Sequence, residues 1–176
     1  MTSTAIEEIV ADIIVSDLYS RDVPLKGHLG MLDWRLYGFF SKLLMDHKLT
    51  GRYKETYLIA SKGKARAQHI LLTGLGTKSR LTEDKIAALV PVVFKALRKL
   101  KAETFVLVPL GWEVVGFSKA LKLFLEEFRR QEPLFPFLNF KKMIVFVPEE
   151  AKKQSRWVAK LLPFIQKRIA YVGNPH

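Results

Sequence analysis

Apolar positions change period along the chain, and each change marks an element. Residues Glu8–Leu18 alternate and then run apolar (Ile9, Val10, Ile13, Ile14, Val15), a β-branched stretch that predicts a first strand. A loop with Pro24 and Gly27 follows, and then Leu29, Leu32, Leu36, Phe39, Phe40, Leu43 and Leu44 recur at three- and four-residue intervals. That spacing places them on one side of a helix ending near His47. Gly38 falls inside this helix at a cost of about 1 kcal/mol relative to alanine, and is expected to mark close packing against a neighbour. Thr56–Ala60 reads as a second strand and His69–Thr73 as the next. The short basic turn between them predicts an antiparallel hairpin.

The apolar run Ile70–Gly76, ILLTGLG, leads through a loop to Thr82, a good N-cap, with Glu83 and Asp84 at the positive end of the following helix. Ile86, Val90, Val93, Leu97 and Leu100 form its buried stripe, and Pro91 predicts a kink or a split. Thr104–Pro109 is the next strand, followed by a helix with Phe117, Leu121, Phe124 and Phe128 in phase. Gln131–Asn139 is a connector with Leu134, Phe135 and Phe137, and Lys142–Val147 is the last strand. Pro148, Glu149 and Glu150 open a final helix that is expected to bury Val158, Leu162, Ile165 and Ile169. The order β-α-β-β-α-β-α-β-α predicts a three-layer α/β/α sandwich around a mixed, mostly parallel sheet, with residues 1–176 forming one domain.

The charge changes the picture next. Against 17 Asp and Glu stand 29 Lys and Arg, a formal net charge of +12. Such an excess attracts nucleic acid, anionic lipid or phosphorylated ligands, and is equally common on basic proteins that bind none of them. Lys62, Lys64 and Arg66 fill one turn, Lys95, Arg98 and Lys99 crowd one helix end, and Lys152, Lys153, Arg156 and Lys160 line the last helix. These are the candidate nucleic-acid-binding residues. The absence of cysteine excludes disulfides and thiolate chemistry. With no basic leader and no apolar run of membrane-spanning length, the expectation is a cytoplasmic protein with no membrane partner.

Candidate chemistry is sparse. His28, His47, His69 and His176 have no ligand-pair spacing, so no metal site is expected, and no G-x-S-x-G elbow marks a nucleophile. No catalytic residue and no cofactor are assigned. Strand-end loops are where ligands sit in open α/β sheets. There Gly74, Gly76 and Thr77 would offer backbone donors to a phosphate, with Gly111, Trp112, Gly116 and Phe117 as the facing wall and Trp112 stacking on a base or sugar. Neither G-x-G-x-x-G nor GxxxxGK[ST] is completed, and the alternative that these glycines only make tight turns carries more weight.

Leu32-Asp33, Gly38, Ser41-Lys42-Leu43-Leu44, Leu49-Thr50-Gly51 and Gly74-Leu75-Gly76, in that order, resemble the N-terminal domain of the leucyl aminopeptidase (cytosol aminopeptidase) family. The collinearity extends over most of the chain. The resemblance implies a macro-domain-like fold without the two-metal peptidase site, which in that family lies in a following domain. It thus implies a stand-alone, non-catalytic domain acting in binding or oligomeric assembly, with homo-oligomers expected. It also leaves two alternatives, nucleic-acid binding by the basic surface, and binding or hydrolysis of an ADP-ribose or nucleotide-type ligand at the glycine loops. LGWEVVGFS is only loosely similar to the second phosphate loop of macro domains.

Overall fold

The computed structural model describes residues 5–21, 23–131 and 141–151, and the backbone of 169–172. Its centre is a six-stranded sheet in the order β2-β3-β1-β4-β5-β6. The strands are β1 (Ile13–Tyr19), β2 (Thr56–Ala60), β3 (His69–Gly76), β4 (Thr104–Leu107), β5 (Lys142–Phe146) and β6 (Ile169–Val172). All neighbours pair in parallel except β2 and β3, the predicted antiparallel hairpin. Every residue of β1 is buried, as its central place with cover on both faces requires.

The helices are α1 (Gly27–Arg35), α2 (Phe39–Met45), α3 (Glu83–Ala87), α4 (Val90–Lys99), α5 (Trp112–Val115) and α6 (Phe117–Gln131). Side chains alternate along β1, so Ser16 meets His28 of α1 on one face while Asp17 meets Gly111, at the start of α5, on the other. With α3, α4 and α5 all packed on α6, the sheet lies between two helical layers. This is the α/β/α architecture expected from the order of elements.

Four local expectations are corrected. The helix drawn from Leu29 to His47 is two helices, because Tyr37 and Gly38 both take positive φ, 57° and 73°. A Cβ on Gly38 would meet nothing within 4 Å, so this glycine serves the left-handed turn and not close packing. Asp33 makes the break stable. Its carboxylate accepts the Phe40 and Ser41 amides at 2.7 and 3.2 Å and the Ser41 hydroxyl at 2.5 Å, capping α2 from the end of α1. Ile169, placed by periodicity on a final helix, instead begins β6, which pairs with β5 from Met143↔Ile169 onward. The first strand starts at Ile13, because Ile6–Glu8 form a 3-10 turn before it.

Two further expectations hold among the described residues. Thr82 caps α3, its hydroxyl accepting the Lys85 amide at 3.4 Å, and the helix splits so that Pro91 sits in the first turn of α4. The Gln131–Asn139 connector beyond Gln131, and the final helix with Lys152, Lys153, Arg156 and Lys160, lie outside the described residues.

Candidate functional site

Connections from β1 lead to β2 and β3 on one side, while the chain beyond β4 builds outward to β5 and β6. The strand order therefore reverses between β1 and β4. In open α/β sheets the crevice outside the carboxyl ends at such a point is where ligands bind. Here Asp17, near the end of β1, accepts the Gly111 amide at 2.7 Å and ties β1 to the loop after β4. Lys78, after β3, pairs with Glu113 at 2.5 Å and lies 4.5 Å over the Tyr19 ring. These contacts draw the loops after β1, β3 and β4 together across the crevice.

The predicted glycines lie at this end of the sheet, but they serve the fold. Thr50–Glu55 crosses the ends of β1 and β3 as a strap. The Gly76 amide donates to Gly51 O (2.9 Å) and the Gly74 amide to Glu55 O (2.7 Å), while Ser20 Oγ donates to Gly51 O (2.9 Å). A Cβ on Gly74 would stand 1.9 Å from Arg52 O, so this glycine exists to let the strap lie on the strand. Gly111 spends its amide on Asp17, and Gly116 on Trp112 O at 2.9 Å. The amides of Gly74 and Gly76, expected to face a phosphate, are thus already engaged, as are those of Gly111 and Gly116 in the expected facing wall. Trp112 and Phe117 are core residues and form no open stacking wall, while Thr77, directly after β3, is exposed.

What sequence reasoning missed is a set of polar groups beneath these loops. Burial pushes the Asp17 carboxyl up to about 7, with the nearby charge of Glu113 adding to the rise, against the lowering effect of the Gly111 amide. On the opposite face Ser16 Oγ and His28 Nε2 are 2.8 Å apart. Burial lowers the His28 imidazole to about 4, so it is neutral at physiological pH. Ser16 is fully enclosed and holds α1 to β1, while His28 is partly exposed. Thr73 Oγ1, on the residue opposite Asp17, and Trp112 Nε1 have no hydrogen-bond partner among the described residues. Both are sealed from solvent. The signal for this set was available in the sequence, as two polar residues, Ser16 and Asp17, inside the apolar run IIVSDLY.

The two described basic groups lie at the other end of the sheet. The turn with Lys62, Lys64 and Arg66 precedes β3, and α4, with Lys95, Arg98 and Lys99, ends just before β4. A cleft of about 270 Å³ lined by Gln68, His69, Leu100 and Lys101 lies between these two segments, with Asp12 and Glu103 also in its wall. Among the described residues no group of three or more His, Asp or Glu could hold a metal ion, and no helix is long and apolar enough to cross a membrane.

Residues 20–142 match the cytosol aminopeptidase family, N-terminal domain. The chain belongs to that family. A probable cytosol aminopeptidase of Alkaliphilus oremlandii is 32% identical over 106 residues, covering 60% of this chain and 21% of that protein. The chain thus aligns with only about a fifth of such relatives' length. Among solved structures, the macrodomain of Mycobacterium tuberculosis DarG superposes with a TM-score of 0.64 at 14% identity, over 84% of this chain and 96% of that one. The Trypanosoma brucei macrodomain in complex with ADP-ribose gives a TM-score of 0.64 at 18% identity, over 85% and 63%. The aminopeptidase N-terminal domain here therefore has a macro-like fold.

Proposed function

We propose that this domain acts through contact with protein, as a binding or assembly module, and neither catalyses a reaction nor holds a nucleotide at its strand ends. The observation that supports this is the state of the crevice. Gly74, Gly76, Gly111 and Gly116 donate their amides to the chain's own oxygens, and the carboxylates of Asp17 and Glu113 stand among the loops that meet at the crevice. An anion there would meet few free donors and two acids. Exposed apolar side chains are instead numerous on the α1–α2 flank, with Met31, Trp34, Tyr37, Phe39 and Met45.

The expected result with millimolar ADP-ribose or ADP is an unchanged melting curve. A ligand present at about 100 times its Kd adds roughly 2.7 kcal/mol, so a stabilisation of that order would overturn the proposal.

One observation favours a second reading, nucleic-acid binding: the two described basic groups sit at the same end of the sheet. On this reading a labelled DNA duplex binds with an affinity that falls steeply from low to physiological salt in fluorescence anisotropy. Undetectable or salt-independent binding removes it.

A further inference from the structure

The outer edge of the sheet at β2 combines three features that bear on what the module contacts. The first is a backbone edge that no other strand pairs with among the described residues. Gly74 N–H donates to Glu55 O and Ser61 N–H to Gln68 O, so the odd-numbered residues of this strand bond to β3. By antiparallel alternation, the amides and carbonyls of Thr56, Leu58 and Ala60 are directed outward, away from β3. Edge strands of monomers are usually blunted by charge, proline or a bulge. Thr56–Ala60, TYLIA, has no charge and no proline, and it pairs residue for residue with β3.

The second feature is a groove of about 460 Å³ beside that edge. Phe39 and Leu43 of α2 line one wall and β2 the other, with Lys62 at its end. Phe39, on the α2 wall, is 42% exposed, and Leu58, whose side chain alternates to the other face of β2 from the buried Ile59, is 44% exposed, so apolar surface is open to water on both sides of the edge. A strand added to this edge would place alternate side chains in the groove and the rest outside it, while its main chain pairs with Thr56, Leu58 and Ala60.

The third is charge. Lys54 and Lys62 bracket the strand and Lys42 lies between the groove residues of α2; all three are exposed. Glu55, the acid nearest the strand, has its carboxylate occupied by the Thr50 and Tyr57 hydroxyls. A second copy of this chain fits poorly. Antiparallel self-pairing centred on Leu58 sets Lys54 against Lys62 at both ends, and registers centred on Tyr57 or Ile59 set Arg52 against Lys62 or Lys54 against Lys64. Like charges directly opposite each other destabilise a pair, and each copy carries +12.

We propose that the free edge of β2 and the groove beside α2 bind an extended segment of another protein by strand addition, the segment carrying apolar residues at alternate positions and Asp or Glu at both ends. This rests on the reading of the domain as a protein-contact module. The test uses the full chain and a library of short labelled peptides with alternating apolar residues, flanked by glutamates or, as the control set, by lysines. Glutamate-flanked members bind at least tenfold more tightly in fluorescence anisotropy. The double variant Lys54→Glu, Lys62→Glu reverses that preference. Leu58→Pro removes only an outward amide, keeps the β2–β3 ladder, and abolishes binding with the far-UV circular dichroism unchanged.

No binding by either peptide set, equal binding by both, or binding that survives Leu58→Pro would each overturn the proposal. So would a dimer in sedimentation that Leu58→Pro dissociates, since it assigns the edge to a second copy. Failure of the peptides with nucleotides still silent removes this edge alone, whereas a nucleotide-induced stabilisation removes the reading beneath it.

Discussion

Gly74→Ala should leave little folded protein, with a loss of more than about 3 kcal/mol, the range reserved for changes the structure has no room to absorb. The added Cβ would lie 1.9 Å from Arg52 O and 2.9 Å from the carbonyl carbons of Arg52 and Gly51. These are backbone atoms, so no rotamer change relieves the clash; the strap itself must lift. Lifting it endangers the Gly76–Gly51 and Gly74–Glu55 hydrogen bonds, and with them the Ser20 contact that ties β1 to the strap. Gly38→Ala is the matching control. That site needs glycine for its conformation, with φ at 73°, where Gly74 needs it for space; with nothing around it, Gly38→Ala should cost about 1–2 kcal/mol. Urea melts of the two variants check both figures. If Gly74→Ala costs no more than Gly38→Ala, the strap is more compliant than its hydrogen bonds imply.

That contrast also shows what the sequence makes legible. Period and turn chemistry locate elements, so β2, β3, the Pro91 split and the Thr82 cap were readable from residues alone. Breaks that depend on tertiary partners were not. The α1–α2 break needs Asp33 to reach the Phe40 and Ser41 amides, and nothing in the apolar spacing of Leu29–Leu44 reports that contact. Ile169 misled for a related reason, because an apolar residue in phase with an upstream stripe satisfies a helical pattern whether or not the chain has turned into a strand.

The candidate site divides in the same way. A G-x-G at a strand end says that backbone passes close by, without saying whether it belongs to a ligand or to the protein. At Gly74 it belongs to Arg52. Ser16 and Asp17 were the better clue. A polar pair inside an apolar strand must be satisfied by something, and the partners, His28 and Gly111, come from opposite faces of the sheet.

Asp17 and His28 should also make the stability of this domain deceptively flat between about pH 4 and 6.5, with Asp17→Asn exposing the slope beneath. The signs are opposite. Burial raises Asp17 from 3.8 to about 7, so between these values the folded protein holds a proton that the unfolded chain has released, and stability falls as pH rises. Burial lowers His28 from 6.5 to about 4, so in that interval the unfolded chain holds the extra proton and stability rises with pH. At about 1.4 kcal/mol per pH unit, the full rise at Asp17 costs at most roughly 4 kcal/mol once the carboxylate is ionised. His28 is partly exposed, and solvent screening holds its contribution below the roughly 3 kcal/mol of the same arithmetic.

Asp17→Asn keeps an oxygen for the Gly111 amide and removes the buried charge. At pH 8 it should therefore be more stable than the parent by about 2–4 kcal/mol. Below about pH 4, where the Asp17 carboxyl is neutral, that advantage should vanish. Between pH 4 and 6.5 the variant should gain stability with rising pH, now governed by His28 alone. Chemical denaturation across pH 4–8 reads all three outcomes. An Asp17→Asn variant no more stable than the parent at pH 8 would mean that the Gly111 amide and Lys78 hold the carboxylate ionised in the fold, and that the loops across the crevice are fastened by a charge instead of strained by one.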